Sequence, residues 1–190
     1  MDEDGELLRR YLAGEVAAFD ELVRRHQRVL FSFVRRQVRD HATAEDLLQR
    51  TFIRMLTGIG HYRHQGRLRS WLFRIAHNLI VDDHRKQRNA TIVSMDETYS
   101  ANERDYPPLR ERLAAPDRNN PEHIAQKREQ ADAAGKALAR LAPAQREAFL
   151  LRQAGLSFKE IARVQNCPVN TALGRMHDAL QALRRMLEAE

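Results

Sequence analysis

The sequence has little cysteine, few aromatic residues and no long apolar run, and these shortages exclude several classes of protein. Its one cysteine, Cys167, cannot form an internal disulfide, whereas small secreted scaffolds depend on several. No apolar run exceeds roughly five residues, and a membrane span needs about 18. Met1 leads directly into Asp2, Glu3 and Asp4, without the basic and apolar segments of a secretory signal. We therefore predict a cytoplasmic protein with no membrane insertion of its own.

Positive charge is what the sequence has in excess. Lys and Arg number 32 against 26 Asp and Glu, a formal net charge of +6 in 190 residues. Hydrophobic residues make up 43%, which is enough for a packed core. The length fits one large domain or two small ones. A polyanion such as nucleic acid is therefore the first partner to consider.

Proline placement divides the chain into two modules. Four of the six prolines lie between residues 107 and 121, and residues 89–120 carry six acids against four arginines. On either side, apolar residues recur at helical spacing, and no alternating strand pattern is found. We predict an all-α fold of two small helical domains, residues 4–93 and 124–188, joined by a flexible linker at 94–123.

Three helices are predicted in the first module from apolar spacing. The first buries Phe19, Leu22, Val23, Leu30, Phe33 and Val34. The second begins near Thr43, where residues 43–46 resemble a capping box, and buries Leu48, Phe52, Met55, Leu56 and Ile59. After a polar loop at 61–67, the third runs from Leu68 to Arg88 and turns Leu68, Leu72, Ile75 and Leu79 inwards.

One edge of that third helix carries chemistry suited to nucleic acid. Trp71, Arg74, Asn78 and Arg85 fall within about 60° of one another at 100° per residue. Residues 61–88 hold seven Lys and Arg against two Asp. Aromatic rings stack on bases, and Arg and Asn contact phosphates and base edges. The edge fits single-stranded or opened nucleic acid, and it equally fits a solvated helix face with a half-buried tryptophan.

A helix-turn-helix is predicted near the C-terminus. Pro143 suits the first turn of a helix that stops at Gly155, and residues 157–160 form a capping box for a short second helix. A long helix follows from Val169, with Ala172, Met176, Leu180, Leu183 and Leu187 turned inwards. Such a motif places the start of its last helix in the major groove, although an ordinary helical hairpin fits the same pattern.

Two functions other than nucleic-acid binding with a protein partner also fit parts of the sequence. A stand-alone regulator of duplex DNA would use the C-terminal helices, but it needs no base-stacking edge. A metal-dependent nuclease would use His61, His64, Asp82 and Asp83, but the two aspartates point about 100° apart on a helix. Neither a Ser-His-Asp order nor a glycine-rich phosphate loop occurs. We expect no catalytic residue, no metal and no cofactor.

Three segments then suggest a family. Residues 68–78 read LRSWLFRIAHN, residues 44–52 read AEDLLQRTF, and residues 141–149 read LAPAQREAF, followed by SFKEIA at 157–162. In this order they resemble the promoter-melting segment, the polymerase-binding helix and the start of the C-terminal DNA-binding domain of bacterial sigma factors. The resemblance is to the extracytoplasmic-function (ECF) group of the sigma-70 family, and it leaves only the linker unaligned.

The resemblance implies an alternative sigma factor, which is not an enzyme, that directs core RNA polymerase to promoter DNA. It also implies an anti-sigma factor, often membrane-anchored in this family, that holds the protein inactive. The implied polymerase contacts are Asp46, Leu47, Gln49 and Phe52. The implied minus-ten contacts are His61, Tyr62, Arg63, His64, Arg67, Trp71, Arg74, Asn78 and Arg85. The implied minus-thirty-five contacts are Asn170, Thr171, Gly174, Arg175 and His177.

Several residues depart from the family pattern. The family has Glu where this chain has Arg50, Gly-Thr-Val at 170–172, basic residues at Leu173 and Asp178, and Ser at Gly174. The loss of two cations and the gain of an anion remove contacts of about 1–3 kcal/mol each. We therefore expect weaker or unusual reading of the minus-thirty-five element, with Thr171 and Arg175 retained.

Overall fold

The computed structural model describes residues 2–63, 66–93 and 133–188, with the backbone alone for 90–93. This part of the chain is helical and contains no strand, which confirms the predicted all-α fold. The first module consists of α1 (Glu3–Leu12), α2 (Val16–Arg35), α3 (His41–Gly58), a 3₁₀ turn (Ile59–His61) and α4 (Leu68–Val93). The second consists of α5 (helical over 133–140), α6 (Pro143–Gln153), α7 (Phe158–Val164) and α8 (Val169–Glu188). The predicted linker at 94–123 lies outside the described residues.

The first module packs around α2 and α4. Phe33 of α2 meets Phe73 of α4 edge-on, with ring centroids 5.0 Å apart. Helix α1, which the sequence analysis did not identify, is anchored on α2 by polar contacts. His26 Nε2 lies 3.1 Å from Asp4 Oδ2, and Arg25 donates to the same carboxylate. The apolar centre is formed by Leu22, Leu30, Val34, Leu47, Met55, Leu68, Leu72, Phe73 and Leu79.

The start of α3 corrects one prediction. The helix begins two residues before Thr43, because Asp40 is the N-cap and its carboxylate accepts from the Thr43 N–H and hydroxyl, each at 2.7 Å. Thr43 is therefore a donor inside the first turn rather than the cap. The capping box at Ser157 is confirmed, since its side chain accepts from the Glu160 N–H while the Glu160 carboxylate accepts from the Ser157 N–H.

The inward face of α8 also differs from the prediction. Leu180 and Leu187 are 49% and 50% exposed, whereas Ala179 is fully buried. The leucines spaced seven residues apart predicted an inward stripe, but that stripe faces solvent. At 100° per residue, the buried stripe instead alternates steps of three and four residues. It consists of Ala172, Met176, Ala179, Leu183 and Met186.

The two modules pack against each other. Helix α7 lies on α4, and the buried apolar side chains of the first module and of α6 and α7 form one cluster. A second cluster lies between α5 and α8. A polar contact crosses the same boundary, where His77 Nδ1 of α4 lies 2.6 Å from Glu147 Oε1 of α6. Both side chains are largely buried, with 18% and 8% of their surfaces exposed. Arg69 also approaches Gly155, because a Cβ at that glycine would lie 3.6 Å from its Nη1.

Candidate nucleic-acid interface and docking face

An aromatic pair lies at the base of the predicted minus-ten site. The Tyr62 N–H donates to the Ile59 carbonyl at 3.2 Å, and the Tyr62 ring stacks on the Trp71 indole. The ring centroids are 4.4 Å apart and the planes differ by 20°. Gly58 makes room for the indole, because a Cβ there would lie 3.2 Å from Trp71 Cζ2. Trp71 is therefore half-buried, and the loop before α4 already supplies it with a stacking partner.

Burial widens the pH range over which the Tyr62 phenol is neutral. Removal of its phenol from water raises the pKa of Tyr62 to about 12, and the charge of Asp2 acts in the same direction. A backbone hydrogen bond with Arg67 opposes that rise in pKa. Tyr62 is consequently neutral at physiological pH, so the aromatic pair offers rings and a hydroxyl group but no negative charge that would repel a phosphate.

Beside this pair, α4 presents an exposed polar edge. The side chains of Arg74, Asn78 and Arg85 are all exposed. None of the three has a hydrogen-bond or ion-pair partner among residues 2–63, 66–89 and 133–188. A guanidinium contacts phosphates and base edges, and a carboxamide pairs with an exposed base. Because no described residue occupies these groups, they can contact a ligand of that chemistry.

The loop before α4 contributes the other predicted minus-ten residues. His61, Arg63 and Arg67 are exposed, and the Arg67 carbonyl accepts from the Trp71 N–H at 3.1 Å, in the first turn of α4. His64 lies outside the described residues. The structure therefore brings the two ends of the loop to the beginning of α4, next to the aromatic pair.

The predicted helix-turn-helix is formed by α7 and α8. In the turn between them, Asn166 adopts a left-handed φ of 48°, which asparagine tolerates better than most residues. The Cys167 N–H closes the turn on the Ala162 carbonyl at 2.9 Å. Four of the predicted minus-thirty-five residues are exposed on the first turns of α8. They are Asn170, Thr171, Gly174 and His177.

Arg175, the fifth member of that set, points towards the turn. Its Nη1 donates to Gln165 Oε1 at 3.0 Å and lies 3.5 Å from Cys167 Sγ. The Gln165 amide in turn donates to the Ala144 carbonyl and to the Glu147 carboxylate, both at 2.9 Å. The Arg175 guanidinium is thus half-buried and engaged, and it must rotate outwards before it can contact a phosphate or a base.

The predicted polymerase-binding helix, α3, has one face to solvent. Asp46 and Gln49 are exposed and Phe52 is half-buried, with Asp46 3.2 Å from Arg50 one turn later. Leu47 corrects the prediction, because it is completely buried and so belongs to the core rather than to a contact surface.

Two exposed apolar residues of α3 were missed. Ile53 is 51% exposed and Leu56 is 44% exposed, although Leu56 was predicted to be in the core. With Asp46, Gln49 and Phe52 they fall within about 120° of helix, opposite the buried side. We call these five residues the docking face. The sequence could have predicted the docking face from the stripe on the opposite side of α3. That inward stripe consists of the buried residues Ala44, Leu47, Thr51 and Met55.

The described residues contain no metal site of the kind that the nuclease alternative requires. No group of three or more His, Cys, Asp and Glu is placed to hold a metal ion in this part of the chain. Asp82 and Asp83 are half-buried on α4, and Asp83 accepts from Gln87. Across the same residues, no helix combines the length and the apolar character that crossing a membrane requires.

Comparisons with known families match both modules. Residues 22–90 match the model of sigma-70 region 2, and residues 131–183 match that of sigma-70 region 4. The chain is 34% identical to the RNA polymerase sigma factor CarQ of Myxococcus xanthus, over 95% of each protein. It is 30% identical to the ECF RNA polymerase sigma factor SigM of Mycobacterium tuberculosis, over 97% of this chain and 84% of SigM.

A solved structure has a similar fold. The sigma factor RpoE from Bartonella quintana, crystallised with the anti-sigma factor NepR, superposes with a TM-score of 0.70. The superposition covers 90% of this chain and 98% of RpoE, at 23% sequence identity. At that identity the similarity concerns the fold, and it extends over both modules.

Proposed function

This chain belongs to the sigma-70 family of RNA polymerase sigma factors, in its extracytoplasmic-function group, and on that premise we propose that it binds core RNA polymerase and directs promoter-specific initiation. Members of the family are initiation factors rather than enzymes. We place its action in the cytoplasm, where polymerase and promoter DNA meet. The proposal assigns a separate task to each of three surfaces.

The docking face of α3 is proposed to bind the polymerase. Two exposed apolar side chains, Ile53 and Leu56, lie on this face beside the polar Asp46 and Gln49. Apolar groups at the centre of a surface with a polar rim are typical of protein interfaces. Arg50, which pairs with Asp46 of the docking face, stands where the family has Glu, so a positive charge borders the face in place of a negative one. We expect the polymerase surface either to tolerate this change of charge at position 50 or to match it.

The α4 edge and its loop are proposed to hold the opened minus-ten strand. Base capture costs a few kcal/mol of stacking, which a preformed aromatic site offsets. The Tyr62–Trp71 pair supplies such a site, and Asn78 is the exposed carboxamide nearest to it on the same edge. Arg74 and Arg85 supply the positive charge that a single-stranded backbone requires.

The first turns of α8 are proposed to read the minus-thirty-five duplex. Thr171 and Asn170 are exposed there, but Leu173 and Gly174 offer no charge, and Arg175 is engaged by Gln165. These residues of α8 predict that the protein recognises the minus-thirty-five duplex through few direct contacts. The linker at 94–123 is proposed to span the distance between the two promoter elements through the RNA-exit region of the polymerase.

An anti-sigma factor is the third proposed partner. The similarly folded RpoE is described in complex with one, NepR. On this chain, Leu173, Leu180 and Leu187 form an exposed leucine stripe along α8, which offers apolar area to such a regulator.

The exposed Arg74–Asn78–Arg85 edge, whose side chains have no partner among the described residues, together with a helix-turn-helix in one chain, is the observation that carries the proposed function. The test is transcription in vitro from genomic DNA by core polymerase, with and without this protein. New start sites that share an upstream motif are the expected result. Specific binding to duplex DNA without polymerase, and no new start sites, would instead favour a stand-alone regulator.

A further inference from the structure

Arg175 carries the positive charge of the first turns of α8. It is the only Lys or Arg between residues 169 and 178, where Asp178 is negative and the exposed Asn170 and Thr171 are neutral. Binding to a duplex of any sequence depends on cations that neutralise its phosphates. The position of this one guanidinium therefore determines how strongly the first turns of α8 are attracted to DNA.

Gln165 holds that guanidinium at the turn between α7 and α8. The Gln165 side chain is buried, and its amide nitrogen donates to the Ala144 carbonyl and to Glu147 Oε2, both at 2.9 Å. Its amide oxygen accepts from Arg175 Nη1 at 3.0 Å. A flipped amide would turn its oxygen towards two acceptors and its nitrogen towards a donor. The surroundings of Gln165 thus direct its oxygen to Arg175.

Outward rotation of Arg175 has a cost. The Gln165 oxygen would lose a charged donor inside the protein, and such hydrogen bonds are stronger than neutral ones. Glu147 is also buried, and its carboxylate lies one amide group away from the guanidinium, so the attraction of opposite charges favours the inward position. Cys167 Sγ, 3.5 Å from Nη1, adds a weak acceptor. A group on DNA must offer more than these contacts.

Groups on DNA differ in how well they offset that cost. Guanine presents O6 and N7, which together accept two hydrogen bonds from one guanidinium, and bidentate, charge-assisted contacts are strong and selective in geometry. On a duplex of arbitrary sequence the attraction is electrostatic and fixes no such geometry. The same cost therefore suppresses the arginine contact at an arbitrary site and permits it at a matching one.

We propose that Gln165 is a specificity-determining residue of the second module, which withholds Arg175 from duplex DNA of arbitrary sequence and releases it where a group is placed to accept two hydrogen bonds. The apparent affinity for an arbitrary duplex is then reduced by the fraction of molecules whose guanidinium is free. The choice of duplex DNA as the ligand rests on the proposed function, whereas the hold on Arg175 does not.

The test measures binding of the full-length protein to a duplex of arbitrary sequence over a range of salt concentrations. Gln165→Leu removes the acceptor, so it should tighten binding about 3- to 10-fold and steepen the dependence of log affinity on log salt by about one. A merely structural role predicts weaker binding instead. Gln153→Leu is the matched control, because the Gln153 side chain is exposed at the end of α6 and has no partner among the described residues.

The gain in affinity must depend on Arg175. Arg175→Ala alone should leave the affinity for the arbitrary duplex unchanged, and the double variant Gln165→Leu with Arg175→Ala should bind like Arg175→Ala. Three results would overturn the proposal: no gain in Gln165→Leu at wild-type helix content, a gain that persists without Arg175, or an equal gain in Gln153→Leu.

If Gln165→Leu loses helix, NMR of the wild-type protein decides instead. The guanidinium signals of Arg175, assigned by comparison with Arg175→Lys, should show restricted rotation both in the free protein and with the arbitrary duplex. Free rotation in the absence of DNA would show that Gln165 does not hold the side chain, and the proposal would fail.

The effect on specificity is measured with core polymerase present. Gln165→Leu should lower the ratio of affinities for the upstream promoter element and for the arbitrary duplex about 3- to 10-fold, and an unchanged ratio would refute the role in specificity. Binding to the arbitrary duplex requires no polymerase. A wild-type protein that supports no initiation, together with the expected gain in Gln165→Leu, would therefore count against the proposed function alone.

Discussion

The Tyr62 ring lies stacked on the Trp71 indole, with 4.4 Å between ring centroids. A tryptophan that the sequence analysis treated as a platform for a base therefore already has a partner from the preceding loop. A flipped base entering this site must either extend the stack or displace Tyr62. In the second case, base binding at the proposed site would move Tyr62, a residue of the loop before α4.

Replacement of Tyr62 should expose the indole. Tyr62→Ala removes a stacked pair worth about 0.5–1.5 kcal/mol beyond its buried area, so the free energy of unfolding should fall by about 1–2 kcal/mol. Trp71 is the only tryptophan, and its fluorescence emission should shift to longer wavelength. Tyr62→Phe keeps the ring and should leave the emission unchanged. Identical spectra for Tyr62→Ala and wild type would show that the stack does not form in solution.

Asn78 should act in melting rather than in folding. Because its side chain is exposed and unpaired among the described residues, Asn78→Ala should not change the unfolding midpoint. Loss of a base contact of about 1–3 kcal/mol should lower open-complex formation roughly tenfold. Permanganate footprinting of the melted strand measures this, and Lys86→Ala, also exposed on α4, serves as the control. Wild-type melting in Asn78→Ala would remove the residue from the site.

Local signals in the sequence predicted most element ends. Pro143, the Ser157 capping box and Gly155 bound α6 and α7 as expected, since caps depend on neighbouring residues alone. On α8, two overlapping stripes of apolar residues could face the core. Packing against other helices determines which of the two is buried. For that reason Leu180 was placed in the core and Ala179 was overlooked, although the structure has the reverse.

Contacts between distant parts of the chain could not be predicted from one sequence. His77 and Glu147 are 70 positions apart, and no periodicity relates them. Arg175 was expected in the groove from its position on α8, but a neighbour at the turn, Gln165, engages it. Sequence patterns thus predicted candidate site residues, whereas the contacts and the exposure of those residues required the fold.

Ile53 should contribute to polymerase binding without supporting the fold. It is 51% exposed on the docking face, and truncation of a central apolar contact in an interface costs more than about 1 kcal/mol. Ile53→Ser should therefore weaken affinity for core polymerase about tenfold. Val81→Ser, at a residue of α4 that is 41% exposed, should have no such effect.

Gln49→Ala tests the polar side of the docking face, free of the packing loss that Phe52→Ala would cause. Wild-type polymerase affinity in both Ile53→Ser and Gln49→Ala would mean that polymerase binds elsewhere. Reduced affinity in Val81→Ser as well would point to a general loss of folded protein, which the unfolding midpoint would reveal.

The Asp40 cap should make stability depend on pH at the acidic end. Hydrogen bonds from the Thr43 backbone N–H and hydroxyl hold the pKa of Asp40 below its usual value. The stabilisation is therefore fully present above the unfolded-state pKa of about 3.9 and is lost as the pH falls through the lower folded-state pKa. Asp40→Ala should cost about 1 kcal/mol at pH 7, measured by urea unfolding. Asp40→Asn should keep most of the cap and abolish this contribution to the pH dependence; an Asn variant as acid-sensitive as wild type would contradict the assignment.

Replacement of Arg175 should show whether its side chain contacts DNA or stabilises the turn between α7 and α8. If its guanidinium leaves Gln165 and reaches the upstream duplex in the polymerase complex, Arg175→Ala should weaken that binding and reduce the slope of log affinity against log salt by about one. Thr171→Ala, which removes a neutral exposed group, should leave the slope unchanged. If Arg175 stays with Gln165 and Cys167, its loss should lower the unfolding free energy and leave the salt slope as in wild type. The second result would leave the first turns of α8 without an arginine contact to DNA, and recognition there would then depend on Asn170, Thr171 and the shape of the duplex.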